Sequence, residues 1–402
     1  MVVKLADIGD VLTATPALRA LRASYPAARI DLLTTPLAAT VAPASLVDEV
    51  LTAPRALVRT ARDAPALARL LLRLRGGRYD SVLFLHHLTL RSGAAKYRLL
   101  AAAAGAANLA GLDNGRGGWL THPVADRGFG AQHEVVYGLQ VAAALGAHTA
   151  DQRLAAAFDE RDAAAAGRWL AGLQGGLRVA IHPGSGGYSL ARRWDPGKWA
   201  ALADALAGRW NAAIILVGAA ADGVEAVQAA MRTPALNLAG QTSLGQLAAV
   251  LAQSDLFLGA DSGVMHLAAA VGAPVVALFG PSNPQAWGPW TPAGRSAVVR
   301  LGLACAPCSY VGHAVGQRDG CWHRSCLADL QPGQVLAAAE SLLGRPEEFR
   351  RPGQAEEAST GRGAPEQAQE SPAESGILGS SIDARCAPAL PGAVEILGVR
   401  VH

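Results

Sequence analysis

One stretch constrains the fold of this chain more than any other: residues 255–281, DLFLGADSGVMHLAAAVGAPVVALFGP. A short apolar run at 256–258 stops at Gly259. The polar turn of Asp261, Ser262 and Gly263 follows, then an apolar helical run over 264–271 with His266 in its first turn. Gly272, Ala273 and Pro274 end that helix, and 275–279 reads as a second buried strand. In an open α/β sheet, ligands sit beyond the carboxyl ends of strands, where helices begin. The first N–H groups of such a helix lack internal partners, and its dipole favours an anion there. The stretch therefore reads as half of a phosphate site with an acid and an imidazole beside it.

The same alternation runs through the rest of the chain. An apolar run at 2–5 leads through Gly9 and Asp10 into a helical pattern of Val11, Leu12, Ala14, Leu18 and Leu21. Tyr25 and Pro26 end it, because the residue before proline is pushed out of the α region. Strands are expected at 29–34, 47–51, 79–85 and 108–112, and helices at 67–74, 91–104 and 132–145. A bridging helix at 159–174 precedes a second series. Its strands are expected at 178–182, 213–217 and 235–238, and its helices at 196–209, 222–231 and 243–252, ahead of the opening stretch. This predicts an α/β fold of two Rossmann-like halves, 1–155 and 156–345, facing across a cleft, where domain interfaces favour ligands. From residue 345 Pro, Gly, Glu, Gln and Ser dominate, so 346–402 is expected to be a disordered tail.

Composition narrows the function classes. The 402 residues are 51% hydrophobic and 17% charged, which suits helices packed on buried sheets. A formal charge of +3 is too weak to indicate nucleic acid. The N-terminus lacks the pattern of a signal peptide and no apolar run is long enough to span a bilayer. A soluble, cytoplasmic protein is expected, with peripheral contact at a membrane face left open.

Asp10, at the end of the first strand, is placed to take a proton from a substrate hydroxyl, or equally to cap the helix it opens. The loop from His182 through Ser185, Gly186 and Gly187 lets backbone approach a phosphate, and Arg192 and Arg193 follow it. It is not a P-loop, since no Gly-Lys-Ser/Thr follows. Asp222, or Glu225 beside it, could take ribose hydroxyls or merely complement a helix dipole. Cys305, Cys308, Cys321 and Cys326 have the spacing C-x2-C-x12-C-x4-C. They could form a structural zinc site, or serve as thiols within one long loop.

Taken together these pieces resemble glycosyltransferase family 9, the heptosyltransferases of lipopolysaccharide inner-core assembly. The matching stretches are IGDVLTATPALRALRASYPAARIDLLT, HPGSGG with ARRW, and LNLAGQTSLGQLAAVLAQSDLFLGADSGVMHLAAAVGAPVVALFGPSNP, with the Cys-x-Pro-Cys loop after them. The resemblance covers about residues 1–345. It implies a GT-B architecture and inverting transfer of a sugar, usually heptose from ADP-heptose, to a lipid-linked or polysaccharide acceptor, without a catalytic metal or other cofactor. It implies Asp10 as general base. Arg192 falls where the family often carries a lysine near the donor phosphates, and Asp222 near an acid at the ribose. Asp261, Ser262, Gly263 and His266 match the donor motif, while Arg91 and His133 fall on the acceptor side. The competing readings are a nucleotide-sugar epimerase or hydrolase of the same fold, and a binding protein that has lost activity.

Overall fold

The computed structural model describes residues 1–57, 63–187, 189–344 and the backbone of Val394–Leu397. The first half builds a parallel sheet from β1 (Val2–Lys4), β2 (Asp31–Thr34), β3 (Glu49–Thr52), β4 (Ser81–Phe84), β5 (Asn108–Asp113) and β6 (His122–Ala125). Their order is β3-β2-β1-β4-β5-β6. The second half uses β7 (Arg178–His182), β8 (Ala213–Leu216), β9 (Ala235–Asn237), β10 (Leu256–Ala260), β11 (Val275–Leu278) and β12 (Ser296–Leu301). A small antiparallel hairpin follows, β13 (Ser309–Val311) and β14 (Ala314–Gly316). A last strand, β15 (Val394–Leu397), pairs antiparallel with β12, giving the order β15-β12-β11-β10-β7-β8-β9.

Strands buried on both faces read as unbroken apolar runs, and alternate residues serve different layers. In β10, Leu256 and Leu258 join the layer that faces the helix Pro196–Trp210. Phe257, between them, joins a core shared by both halves of the molecule. In β4, Leu83 joins the shared core while Val82 and Phe84 pack on the far side of the first sheet. The shared core seats the helix Ile8–Ser24 against the helices Glu134–Ala143 and Gly263–Ala270. Burying apolar area at roughly 25 cal/mol per Å² makes this seam a firm junction.

Proline at position 16 lies within Ile8–Ser24 and can donate no backbone bond. The carbonyl this frees, Leu12 O, accepts from Thr15 Oγ1 at 2.7 Å, so the helix runs on. The bridging helix is Glu160–Leu170, closed by a capping box between Asp159 and Asp162, and it packs on Leu244–Ala252 in the second half.

The alternation expected from sequence is present, with differences. β6, β12 and the β13–β14 hairpin were not anticipated. The expected helix 222–231 is split: Ala220–Asp222 is a 3₁₀ turn, Gly223 takes φ +79°, and the helix is Val224–Ala230. Of the tail 346–402, all but Val394–Leu397 lies outside the described residues, Cys386 included. Among the described residues no helix is long and apolar enough to cross a membrane.

Candidate functional site

The carboxyl ends of the two sheets open onto one cleft, a cavity of about 1430 Å³. Asp10, Ser185, Gly186, Arg192, Asp222, Asp261, Ser262, Gly263 and His266, spread over the sequence, all line it.

On the second half the turn after β10 is built around Ser262. Its hydroxyl oxygen accepts from Met265 N–H at 3.3 Å and caps the helix Gly263–Ala270. His182, at the end of β7 and 1% exposed, lies with Nε2 3.2 Å from Asp222 Oδ2. That nitrogen donates to the carboxylate, which leaves Nδ1 to accept from the Ser262 hydroxyl at 3.2 Å. Arg192 Nη1 donates to Asp261 Oδ2 at 2.9 Å, and Nη2 reaches Ser185 O at 3.4 Å. The Ser185 hydroxyl in turn donates to Ser189 O at 2.7 Å, folding the glycine loop over the helix end. A guanidinium thus lies beside the amino end of the helix Gly263–Ala270, an arrangement that suits an anion. His266 is buried, and burial lowers its pKa despite the nearby Asp261 and Asp10 carboxylates, so it is neutral; its Nδ1 has no partner among the described residues.

From the first half, Asp10 enters opposite that turn. Asp7, not Asp10, occupies the cap position of Ile8–Ser24, so the capping alternative for Asp10 is not realised. The Asp10 carboxylate is partly exposed to the cleft, 3.3 Å from Lys4 Nζ. The two halves touch here through glycine. A Cβ on Gly9 would lie 2.8 Å from His266 Cδ2 and 3.2 Å from Gly263 Cα, and one on Gly263 would lie 2.3 Å from Ile8 Cγ1. Only bare backbone allows this approach.

Several of these residues have further partners inside the fold. The Asp222 carboxylate also accepts from Ala219 N–H at 2.8 Å and from Arg193 Nη2 at 3.1 Å. Burial opposes its charge, but these bonds and His182 hold its pKa below the usual carboxylate range. Gly184 makes room for it, since a Cβ there would sit 2.2 Å from Asp222 Cγ. Arg193 is spent on Asp222 and Ala221 O, away from Arg192. His133 is buried, with both ring nitrogens engaged. It caps Glu134–Ala143 through Nδ1, and its Nε2–H donates to Gly288 O at 2.9 Å, tying the two halves together. Burial lowers its pKa to about 3, so it stays neutral. Arg91 begins the helix Arg91–Ala104 and is exposed, while its neighbours Leu90 and Ser92 line the cleft.

Cys305, Cys308, Cys321 and Cys326, read as a structural zinc site or as loop thiols, are free cysteines in this structure. Among the described residues no three His, Cys, Asp or Glu side chains are grouped to hold a metal ion. Burial first, and the neighbouring cysteines second, raise the Cys308 thiol and push Cys326 up to about 12.

Other cleft residues escaped the sequence reading. Lys4 is 4% exposed and its Nζ donates to Leu85 O at 2.8 Å. Arg55 pairs with Asp7 at 2.9 Å. Lys96 lines the cleft from the first half, its pKa lowered to about 8 by burial and by Arg55. His87 lies between two carboxylates, 2.9 Å from Asp126 Oδ1 and 2.8 Å from Glu134 Oε1. Burial alone would lower its pKa, but Glu134 and Asp126 outweigh it and raise it to about 9. Trp287 packs between Lys4 and Tyr310. None of these sits in a motif; each gains its meaning from a partner far away in sequence.

Comparison with known proteins agrees with this arrangement. The family model described as Glycosyltransferase family 9 (heptosyltransferase) matches residues 67–316. Lipooligosaccharide heptosyltransferase 2 of Haemophilus influenzae is 33% identical over 163 residues, 39% of this chain and 44% of that protein. Lipopolysaccharide heptosyltransferase 3 of Escherichia coli is 37% identical over 102 residues, 24% of this chain and 30% of that protein. The chain thus spans half or less of the length of these relatives. The structure of E. coli ADP-heptose lipopolysaccharide heptosyltransferase II superposes with a TM-score of 0.62 at 24% identity, covering 85% of this chain and 97% of that one. A family 9 glycosyltransferase from Veillonella parvula gives 0.65 at 24% identity, covering 85% and 96%. These likenesses establish the fold as GT-B, two Rossmann-like domains facing across a cleft. With the family model matched over more than half its length, the chain belongs to glycosyltransferase family 9, the heptosyltransferase family.

Proposed function

We propose that this protein is an inverting, metal-independent glycosyltransferase that moves a heptose from ADP-heptose onto a lipopolysaccharide core or related glycan. One observation carries the reading: the Asp10 carboxylate and the turn of Asp261, Ser262 and Gly263 line one cavity and meet across the Gly9–Gly263 contact. The relatives named as heptosyltransferases support the sugar and the acceptor class.

In this reading the acceptor hydroxyl gives its proton to Asp10 as its oxygen bonds to the anomeric carbon. The bond from that carbon to the diphosphate breaks, and ADP leaves with the electron pair. Arg192, the loop at Ser185 and Gly186 and the N–H groups of Gly263–Ala270 stabilise the growing negative charge. The base enters from one domain and the leaving group departs toward the other, so the anomeric centre inverts. The positive field comes from protein groups, and the reading needs neither a metal nor another cofactor. A lipid-borne acceptor would be met at the cytoplasmic face of a membrane by peripheral contact.

The test is transfer by the purified chain from ADP-heptose to core glycans, read by ADP release, product mass and the anomeric NMR signal. Acceptor-dependent release with inversion, unaffected by EDTA, is expected. Release of ADP that ignores the acceptor would instead favour a hydrolase, and retention at the anomeric carbon or loss of activity in EDTA would overturn the mechanism.

A further inference from the structure

We propose that Lys4 is a positioning residue for this transfer, holding the Asp10 carboxylate aimed into the cleft. The proposal rests on reading Asp10 as the base. Lysine is almost never fully buried without a partner, yet Lys4 is 4% exposed at the end of β1. Its backbone is fixed from both sides. Its carbonyl accepts from Thr34 Oγ1 at 2.7 Å and from Ala6 N–H at 2.9 Å. The next amide, Leu5 N–H, donates to His86 Nε2 at 2.9 Å. Burial keeps His86 neutral, as that acceptor role requires. The side chain therefore has little choice of direction.

At its tip, Nζ spends one donor on Leu85 O at 2.8 Å, just beyond the end of the neighbouring strand β4. A neutral carbonyl orients the ammonium without cancelling its charge. That charge then faces Asp10 Oδ1 at 3.3 Å, while the Trp287 ring closes over Nζ at 6.0 Å from its centroid. Among the described residues, other charged or titratable groups also face Asp10. Arg55, from the segment after β3, is paired with Asp7. Tyr97, from the helix Arg91–Ala104, is kept neutral by burial, which raises its pKa. His266, from the donor-side helix, is likewise neutral. Among the described residues Lys4 is the cation paired with the carboxylate. A cation fixed this close selects the direction in which the carboxylate accepts. In the transfer step the acceptor proton ends on Asp10, and Lys4 keeps its own protons throughout.

The experiment compares full-length wild type with Lys4→Met, which removes the charge and keeps the chain length. Turnover and ADP affinity are both read. In Lys4→Met kcat should fall by about tenfold to a hundredfold. Affinity for ADP, bound by the other domain, should be unchanged, and Lys4→Arg should restore most of kcat. If Lys4→Met fails to fold, Lys4→Gln keeps a donor for Leu85 O and carries the same expectations. Undiminished kcat in Lys4→Met, or no recovery in Lys4→Arg, overturns the proposal and leaves the transferase reading intact. Undiminished kcat in Asp10→Asn refutes Asp10 as the base, and Lys4 loses its role with it.

Discussion

Raising the pH from about 6.5 to about 9.5 is expected to remove stability from this fold through one imidazole. His87 is 5% exposed, between Asp126 at 0% and Glu134 at 5%. Burial opposes its charge, yet the two carboxylates raise its pKa from 6.5 to about 9. A native pKa above the unfolded one means that the folded state binds the extra proton. The stabilisation is then complete below about 6.5 and is lost as the pH climbs through about 9. At about 1.36 kcal/mol per pH unit, the rise is worth about 3 kcal/mol. Loss of that proton also leaves two buried carboxylates facing a neutral ring. The assay is urea unfolding at several pH values in this window, for wild type and for His87→Gln. Lys96, lowered to about 8, titrates in the same window in both proteins. The difference between the two curves therefore isolates His87. Parallel pH dependences for the two proteins would refute the reasoning.

Asp10→Ala should lower kcat by about 10²- to 10⁴-fold and leave ADP affinity unchanged by calorimetry, because a base contributes in the transition state; undiminished turnover would remove it from the base role. Arg192→Ala should weaken ADP binding by about tenfold to a hundredfold, the worth of one charge-assisted hydrogen bond. Gly263→Ala places a Cβ 2.3 Å from Ile8 Cγ1 and is expected to destabilise the fold by about 1–3 kcal/mol in urea, with a larger loss of turnover than of ADP binding.

The parts legible in the sequence were those whose signal is local. A parallel strand buried on both faces is an apolar run, as 256–258 and 275–279 are. β6 escaped because HPVA is short and only half-buried, with no run to read. The partners of His133 were not legible, because a histidine before a helix looks alike whether it meets a ligand or caps the helix; Gly288 O lies 155 residues away. Nor does anything local say that His182 and Arg193 bond the oxygens of Asp222. Lys4 carried no signal at all, because its neighbour Leu85 O is 81 residues distant.

The glycine-to-glycine crossing at Gly9 and Gly263 has a consequence for how such a protein diversifies. The two halves approach there through main chain, packed against the side chains of Ile8 and His266, and Leu90 and Lys96 lie outside that contact. Residues such as Leu90 and Lys96 can then be exchanged without shifting Asp10 against Ser262. A library aimed at a new acceptor should randomise that wall and hold the crossing fixed. The crossing acts as a gauge block, keeping the bond-forming gap constant while the shape of the incoming glycan drifts.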